Sequence, residues 1–126
     1  MKNPNTIALI LLASLVSLSA CEKGDILVAT GDVTNVLTTT ATVSGNVLSV
    51  GDGIKQYGHC YSKTPGSTIA DSKTEFYAAI GTGTYSSFLQ GLEPGTRYYV
   101  RAYGRRDNTV AYGSEISFTT SSSVTP

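Results

Sequence analysis

The chain has 126 residues with 9 basic and 9 acidic side chains, one histidine, two cysteines and no tryptophan. This balance of charge argues against a nucleic-acid partner, which would require a basic patch or stripe. One histidine and two cysteines, of which one lies at the end of the N-terminal signal described below, are too few for a zinc site within one chain. The acidic residues do not follow a calcium-loop pattern either. We therefore expect no metal and no cofactor.

The N-terminus has the features of an export signal. Residues 1–21 read MKNPNTIALILLASLVSLSAC, with a positive charge at Lys2 and an apolar run over residues 7–18. This run is shorter than the ~20 residues that a membrane-spanning helix needs, and its length and flanks fit a secretory h-region. Its ending, Leu18-Ser19-Ala20-Cys21, resembles the lipobox of bacterial lipoproteins. That resemblance implies a signal peptide at residues 1–20 and lipid attachment at Cys21. The alternatives are a signal peptide cut after Ala20 without lipidation, and a short membrane anchor.

Removal of residues 1–20 would leave 106 residues, enough for one ordinary domain and too few for two. Lys2 would leave with the signal, so 8 basic residues would face 9 acidic ones. Once Cys21 is lipidated, Cys60 has no intramolecular disulfide partner, and we expect it to be a small buried residue. Residues 21–25 are expected to form a short tether and residues 121–126 a flexible polar tail.

After the tether, the pattern is typical of strands and turns. Thr40–Gly45 alternates small or apolar residues with hydroxyls, which predicts that Ala41, Val43 and Gly45 face a core. Turn residues at 51–53, 64–67 and 81–83 interrupt the pattern. Further strands are predicted at residues 54–62, 74–80, 84–90, 98–103 and 115–119. Such spacing is typical of an all-β antiparallel sandwich.

One segment resembles a known family. In Leu92-Glu93-Pro94-Gly95-Thr96-Arg97-Tyr98, the positions of Leu92, Pro94 and Tyr98 are similar to those at the connection between strands E and F of fibronectin type III domains. The resemblance covers residues 26–120 and implies an immunoglobulin-like sandwich of about seven strands. It also implies that Tyr98 is a tyrosine-corner residue, with its hydroxyl bonded to nearby backbone. Gly45 stands where the family usually has a core tryptophan, so Tyr85 or Tyr61 is expected to fill that space.

The sequence offers no catalytic residues that we expect to work together. His59 and Cys60 are neighbours on a predicted strand, so their side chains should point to opposite faces and not form a nucleophile–base pair. Asp71 and Glu75 lie near each other, but nothing places them on one cleft as glycoside hydrolysis would need. We interpret them as solvated loop charges and expect the protein not to be an enzyme.

Two surfaces are candidates for contact with a ligand or partner. The first is the tip of the predicted last hairpin, with Arg105, Arg106 and Asp107. Some fibronectin type III domains present Arg-Gly-Asp there, but this chain has Arg-Arg-Asp, so that adhesion function does not carry over. The alternative is a simple turn in which Asp107 and Asn108 tolerate positive φ beside solvated arginines.

The second surface is a predicted outward tyrosine face. Tyr99 and Tyr103 should project from strand 98–103 with Arg101 between them, and Tyr112 should lie across from that strand. Such a face could stack on sugar rings or contact a partner. The alternative is cross-strand packing that covers the sheet. Phe88 is expected to be a further outward aromatic residue.

Together these features predict a non-catalytic lipid-anchored envelope protein held in the membrane through Cys21. Its expected role is a cell-surface binding or adhesion module with a protein or glycan ligand. The alternative is a structural spacer or accessory subunit of a larger envelope complex. The lipoprotein resemblance favours the outer membrane with the domain exposed at the cell surface.

Overall fold

The computed structural model describes residues 24–77 and 80–122, so the predicted signal peptide, Cys21 and residues 123–126 lie outside the described residues. These two ranges contain β-strands and loops but no helix, and hence no helix long enough to cross a membrane. The strands are β1 (Ile26–Thr34), β2 (Ala41–Val50), β3 (Gln56–Ser62), β4 (Ser72–Lys73), β5 (Gly83–Leu89), β6 (Arg97–Arg106), β7 (Thr109–Tyr112) and β8 (Ile116–Thr119).

The strands form two antiparallel sheets. One has the order β1-β2-β5, and the other has the order β4-β3-β6-β7, with β8 also paired to β6. Tyr103 pairs with Tyr112 and Val100 pairs with Ile116, so the β7–β8 line has one residue more than β6. This is a β-bulge, and β7 and β8 are two parts of one edge strand. The eight segments therefore occupy seven strand positions, which confirms the predicted sandwich.

The core between the sheets divides into two clusters. One contains Ala41, Val43, Leu89, Leu92, Tyr98 and Val100, and the other contains Ile26, Val28, Val47, Ile54 and Ala102. The period-two pattern predicted the buried face of β2 correctly, because burial alternates from Ala41 along the strand. On β6 the inward residues are Tyr98, Val100 and Ala102, also as predicted.

Tyr85 fills the space above Gly45. A Cβ atom at Gly45 would lie 2.6 Å from Tyr85 Cζ, so the Tyr85 ring occupies the space that a larger side chain at position 45 would need. The Tyr85 ring packs edge-on against Tyr57, with 4.9 Å between ring centroids, and its hydroxyl donates to the Gly58 carbonyl over 2.8 Å. The first of the two tyrosines proposed for this position is therefore the correct one.

The predicted strand at residues 74–80 does not form over its described part, residues 74–77 and 80. Among the described residues from 72 to 80, pairing with β3 consists of Ser72–Lys73 and an isolated bridge between Tyr57 and Phe76. Here the Thr74 carbonyl and hydroxyl lie directly over Gly58, where a Cβ atom would collide with both. The Thr74 N–H donates to the His59 carbonyl over 2.8 Å, but the His59 N–H donates to the Thr74 hydroxyl and not to its carbonyl. The regular ladder is therefore interrupted at Thr74.

Candidate functional site

The Tyr98 side chain ties the β5–β6 connection to the core. Tyr98 is buried, and its hydroxyl oxygen accepts a hydrogen bond of 2.9 Å from the Glu93 N–H. The Leu92 N–H in turn donates to the Thr39 carbonyl over 3.0 Å, and Leu92 is buried. The bond between Tyr98 and Glu93 is the hydroxyl-to-backbone bond that the resemblance at Leu92, Pro94 and Tyr98 implies.

The prediction that Tyr103 is exposed is wrong. Tyr103 does lie on the outer side of β6, but it is 0% exposed. Its hydroxyl donates to the Thr74 carbonyl over 2.7 Å, because the chain after β4 crosses this part of the sheet. A side chain with no accessible surface cannot contact a ligand, so Tyr103 is withdrawn from the candidate surface.

The rest of that face is covered by residues 63–74, which we call the strap. Arg101 Nε donates to the Ser67 carbonyl over 2.7 Å, and its guanidinium lies 4.1 Å from the centroid of the Tyr112 ring. The Tyr112 hydroxyl accepts from the Ile69 N–H over 3.1 Å. Arg101 and Tyr112 therefore hold the strap against the sheet, which is the packing alternative. Tyr99 is half-buried near one edge, and its contact with a ligand stays a prediction.

His59 and Cys60 point to opposite faces of β3. Cys60 is fully buried under the strap, with Sγ 3.7 Å from the Arg101 carbonyl, and burial raises the pKa of its thiol. His59 points inward, where Nδ1 lies 2.7 Å from Ser87 Oγ and Nε2 lies 2.9 Å from the Ser44 carbonyl. Burial lowers the pKa of His59 to about 4, against a smaller opposing effect of the Ser44 bond.

His59 is part of a buried polar network that no sequence motif indicates. His59 bonds to the opposite sheet, while Ser87 Oγ also lies 2.8 Å from Thr74 Oγ1, which accepts from the His59 N–H over 2.9 Å. The His59 Nε2 proton is thus donated to Ser44, and Nδ1 accepts from Ser87. Both ring nitrogens therefore have partners within the core, and the network ties the two sheets together.

The hairpin tip is a tight turn with internally paired charges. Asp107 has a φ of 51°, so the predicted positive φ occurs there. Its carboxylate lies 3.0 Å from Lys55 Nζ, and this bond lowers the pKa of Asp107. Arg105 and Arg106 donate to the carbonyls of Asp107 and Asp52 over 3.3 and 3.0 Å. The two arginines are half-buried, so this tip is a pre-ordered charged surface.

The tip lies at the end of the sandwich where the described chain enters, which we call the entry end. Ser49 Oγ donates to the Asp25 carbonyl over 2.8 Å, and a Cβ at Gly51 would lie 3.0 Å from the Gly24 carbonyl oxygen. A cleft of about 190 Å³ joins these parts. Its lining residues are Gly24, Asp25, Ile26, Asp52, Arg106 and Thr109.

A larger concavity of about 310 Å³ opens at the opposite end, which we call the pocket end. Its lining residues are Tyr61, Ser62, Lys63, Asp71, Ser72, Gln90, Gly91, Leu92 and Tyr98. The Tyr61 and Tyr98 rings meet edge-on with centroids 6.5 Å apart, and burial raises the pKa of Tyr61. Lys63 Nζ lies 2.8 Å from a Glu93 carboxylate oxygen beside this pocket.

The sequence carries no local signal for this pocket, because its lining comes from the end of β3, the strap and the β5–β6 connection. Asp71 accepts from the Thr68 N–H over 2.8 Å, so its carboxylate also orders a turn. Among residues 24–77 and 80–122, no three His, Cys, Asp or Glu side chains are grouped as metal ligands.

Comparison with solved structures identifies the architecture. The sensor domain of the anti-sigma factor RsgI4 from Pseudobacteroides cellulosolvens superposes with a TM-score of 0.58 at 18% identity, covering 76% of this chain and 94% of that one. A fibronectin type III domain from the human KIAA0970 protein gives 0.55 at 14% identity, covering 79% and 76%. This chain has a fibronectin type III-like fold.

A third solved structure agrees with this fold. The three-domain fragment FN1–FN3 of chicken CNTN1 gives a TM-score of 0.53 at 18% identity, with 78% of this chain covering 31% of the fragment. No family model and no curated protein matches the sequence. The identities are low, so the likeness extends to the fibronectin type III-like fold of the domain and not to a shared ligand.

Proposed function

We propose that this chain is a lipid-anchored protein of the bacterial envelope whose fibronectin type III-like domain is a non-catalytic binding module. The observation that carries the proposal is the pocket of about 310 Å³ at the pocket end. This volume is at the lower end of the range of ligand sites, about 300–1,000 Å³, and it suits one or two sugar units or a single peptide side chain.

The lining of the pocket favours a glycan ligand. The half-buried Tyr61 supplies apolar area with a polar tip, which suits the mixed apolar and hydroxyl surface of a sugar ring, and the buried Tyr98 ring packs behind it. Around them stand an amide at Gln90, an ammonium at Lys63, a carboxylate at Asp71 and two serine hydroxyls. These groups are donors and acceptors for sugar hydroxyls, and the Lys63–Glu93 pair is exposed and able to exchange partners.

The anchor is proposed from the sequence of residues 1–21 and places the module at a membrane through acyl chains on Cys21. More than one chain is needed for stable attachment, since each buried CH₂ contributes about 0.8 kcal/mol and a single chain binds only marginally. The outer membrane with the domain facing outward is the proposed location.

The test is glycan binding by the full chain purified in detergent. Binding to an array of bacterial and host glycans identifies a ligand, and titration then gives its affinity for the parent and for Lys63→Ala and Gln90→Ala. We expect each substitution to weaken binding by about 5- to 10-fold, since one hydrogen bond contributes about 1 kcal/mol.

The matched control is the double variant Arg105→Ala plus Arg106→Ala, which changes charge at the entry end and should bind like the parent. Loss of binding in this variant alone would move the site to the hairpin tip. If the parent binds no glycan but co-purifies with an envelope protein after mild crosslinking, the spacer or accessory role replaces the binding role.

A further inference from the structure

The geometry points to the entry end as a membrane-contacting surface, with Leu27 and Leu48 at the headgroup–acyl boundary of the bilayer. This inference rests on the lipid anchor of the proposed function. It adds which end of the domain faces the membrane and which side chains touch it. The hairpin tip would then face the bilayer, and the pocket end would face away from it.

The short chain between Cys21 and β1 limits how far the entry end can lie from the bilayer. Ile26 begins β1, and the five residue steps from Cys21 to Ile26 span at most about 18 Å when fully extended. β6 runs the length of the sandwich with 10 residues, which corresponds to about 33 Å. The start of β1 is therefore held within about 18 Å of the bilayer, while the pocket end can stand beyond the reach of its headgroups.

Two exposed leucines lie side by side near the entry end. Leu27 and Leu48 are 52% and 54% exposed, and they lie on neighbouring strands near the start of β1 and the end of β2. Register shifts by one residue between Leu27 and Val28, so Leu48 bulges outward beside Leu27. Two adjacent exposed leucines beside a lipid attachment point are suited to shallow insertion at a membrane interface.

The charges of the entry end decide which kind of membrane contact this is. The basic side chains Lys55, Arg105 and Arg106 are matched by the acidic side chains Asp25, Asp52 and Asp107. A balanced surface gains little from anionic lipids. The contact therefore depends on the leucines, and neither salt nor lipid charge should control it.

The experiment measures the distance of each end from the bilayer in the lipidated full chain, reconstituted in phosphatidylcholine vesicles that carry a nitroxide quencher on the headgroups. A fluorophore is attached at Asn108→Cys, in the hairpin tip, or at Ser121→Cys, near the pocket end. Cys60 is fully buried, so the parent serves as the unlabelled control. We expect at least 5-fold stronger quenching at residue 108 than at residue 121.

The double variant Leu27→Ser plus Leu48→Ser tests the contact itself. We expect it to lower the quenching at residue 108 by about half, and replacement of a quarter of the phosphatidylcholine by phosphatidylglycerol to leave the parent signal unchanged. Equal quenching at the two labels, or stronger quenching at residue 121, would overturn the orientation. An unchanged signal in the leucine variant would overturn the contact.

Mass spectrometry of the N-terminal peptide separates failure of this inference from failure of the anchor. Acyl chains on Cys21, together with vesicle flotation that Cys21→Ala abolishes, establish the anchor independently of orientation. Equal quenching in an acylated protein would then overturn only the inference, whereas an unmodified Cys21 would remove the proposed function on which it rests.

Discussion

His59 is the buried titratable residue whose protonation opposes folding most directly. It is 0% exposed, and both ring nitrogens are committed to bonds in the neutral form, one as donor and one as acceptor. A second proton on the ring would sit on Nδ1 and point at the Ser87 hydroxyl, which donates to the Nδ1 lone pair in the neutral form. The charged ring would also lose its hydration, because the core surrounds it. This residue therefore couples the stability of the sandwich to pH.

The pH dependence has a definite sign. The pKa of His59 is about 4 in the folded chain and 6.5 in the unfolded chain, so between these values the unfolded chain binds more protons. Stability due to this group is complete above pH 6.5 and falls as the pH drops towards 4, by on the order of 3 kcal/mol. Urea unfolding at pH 7.5, 6, 5 and 4 measures this loss.

His59→Gln is the control for this prediction, because an amide can still donate to Ser44 and accept from Ser87 without titrating. We expect its free energy of unfolding to vary much less over the same pH range. A variant with the same pH dependence as the parent would assign the effect to other groups.

Gly45 and Gly81 provide a matched pair for the packing of Tyr85. Alanine at Gly45 would place a Cβ atom 2.6 Å from Tyr85 Cζ, whereas alanine at Gly81 would meet nothing within 4 Å. We expect Gly45→Ala to lower the free energy of unfolding by about 1–3 kcal/mol through overpacking, and Gly81→Ala to change it by about 0.5 kcal/mol or less. Thermal or urea unfolding measures both, and equal stability of the two variants would contradict the packing role of Tyr85.

The strap covers part of the outer face of β6 that the sequence predicts to be exposed. Period-two alternation placed Tyr103, Arg101 and Tyr99 on the outer side of β6 correctly. Alternation cannot say whether another segment covers that side, and the strap does so at Tyr103 and Tyr112. Coverage depends on residues 63–74 returning over the sheet after β3, which has no signature in local periodicity.

Arg101 holds the strap, so its removal should expose Cys60. Arg101→Ala deletes the bond to the Ser67 carbonyl and the contact with the Tyr112 ring. A hydrogen bond from a charged group contributes about 1.5–3 kcal/mol, so local opening should become at least about 10-fold more frequent. The rate at which a thiol reagent modifies Cys60 measures this opening.

Arg97→Ala is the control for the strap, since Arg97 is exposed on the same strand and makes no contact with residues 63–74 among the described hydrogen bonds and ion pairs. Its Cys60 should react at the parent rate. Equal acceleration in both variants would mean that Cys60 is reached through global unfolding and not through movement of the strap.

At the scale of the whole molecule, the two ends of the sandwich have different proposed roles. The entry end contains the start of the described chain, the hairpin tip and two exposed leucines. The pocket end contains the concavity of about 310 Å³ and the Glu93–Gly95 turn, where the Gly95 N–H donates to the Ser121 carbonyl over 2.9 Å. About 33 Å of β6 separates the two.

This separation predicts that substitutions at the two ends act independently. Lys63→Ala should weaken ligand binding and leave quenching at residue 108 unchanged, while Leu27→Ser plus Leu48→Ser should do the reverse. Sites this far apart with no shared partners usually contribute additively. Measuring both readouts on both variants checks the prediction, and a variant that changed both would show that the ends are coupled.

The sequence by itself determined the fold class and the faces of the regular strands, because these depend on period-two alternation, and its resemblance to fibronectin type III domains implied the tyrosine corner. The lipidation of Cys21 also remains a prediction from sequence, since that residue lies outside the described part of the chain. The tertiary structure decided that Tyr103 is buried, that His59 bonds across the core, and that a pocket forms opposite the hairpin tip. Each of these joins segments distant in the chain, so no local pattern contains them.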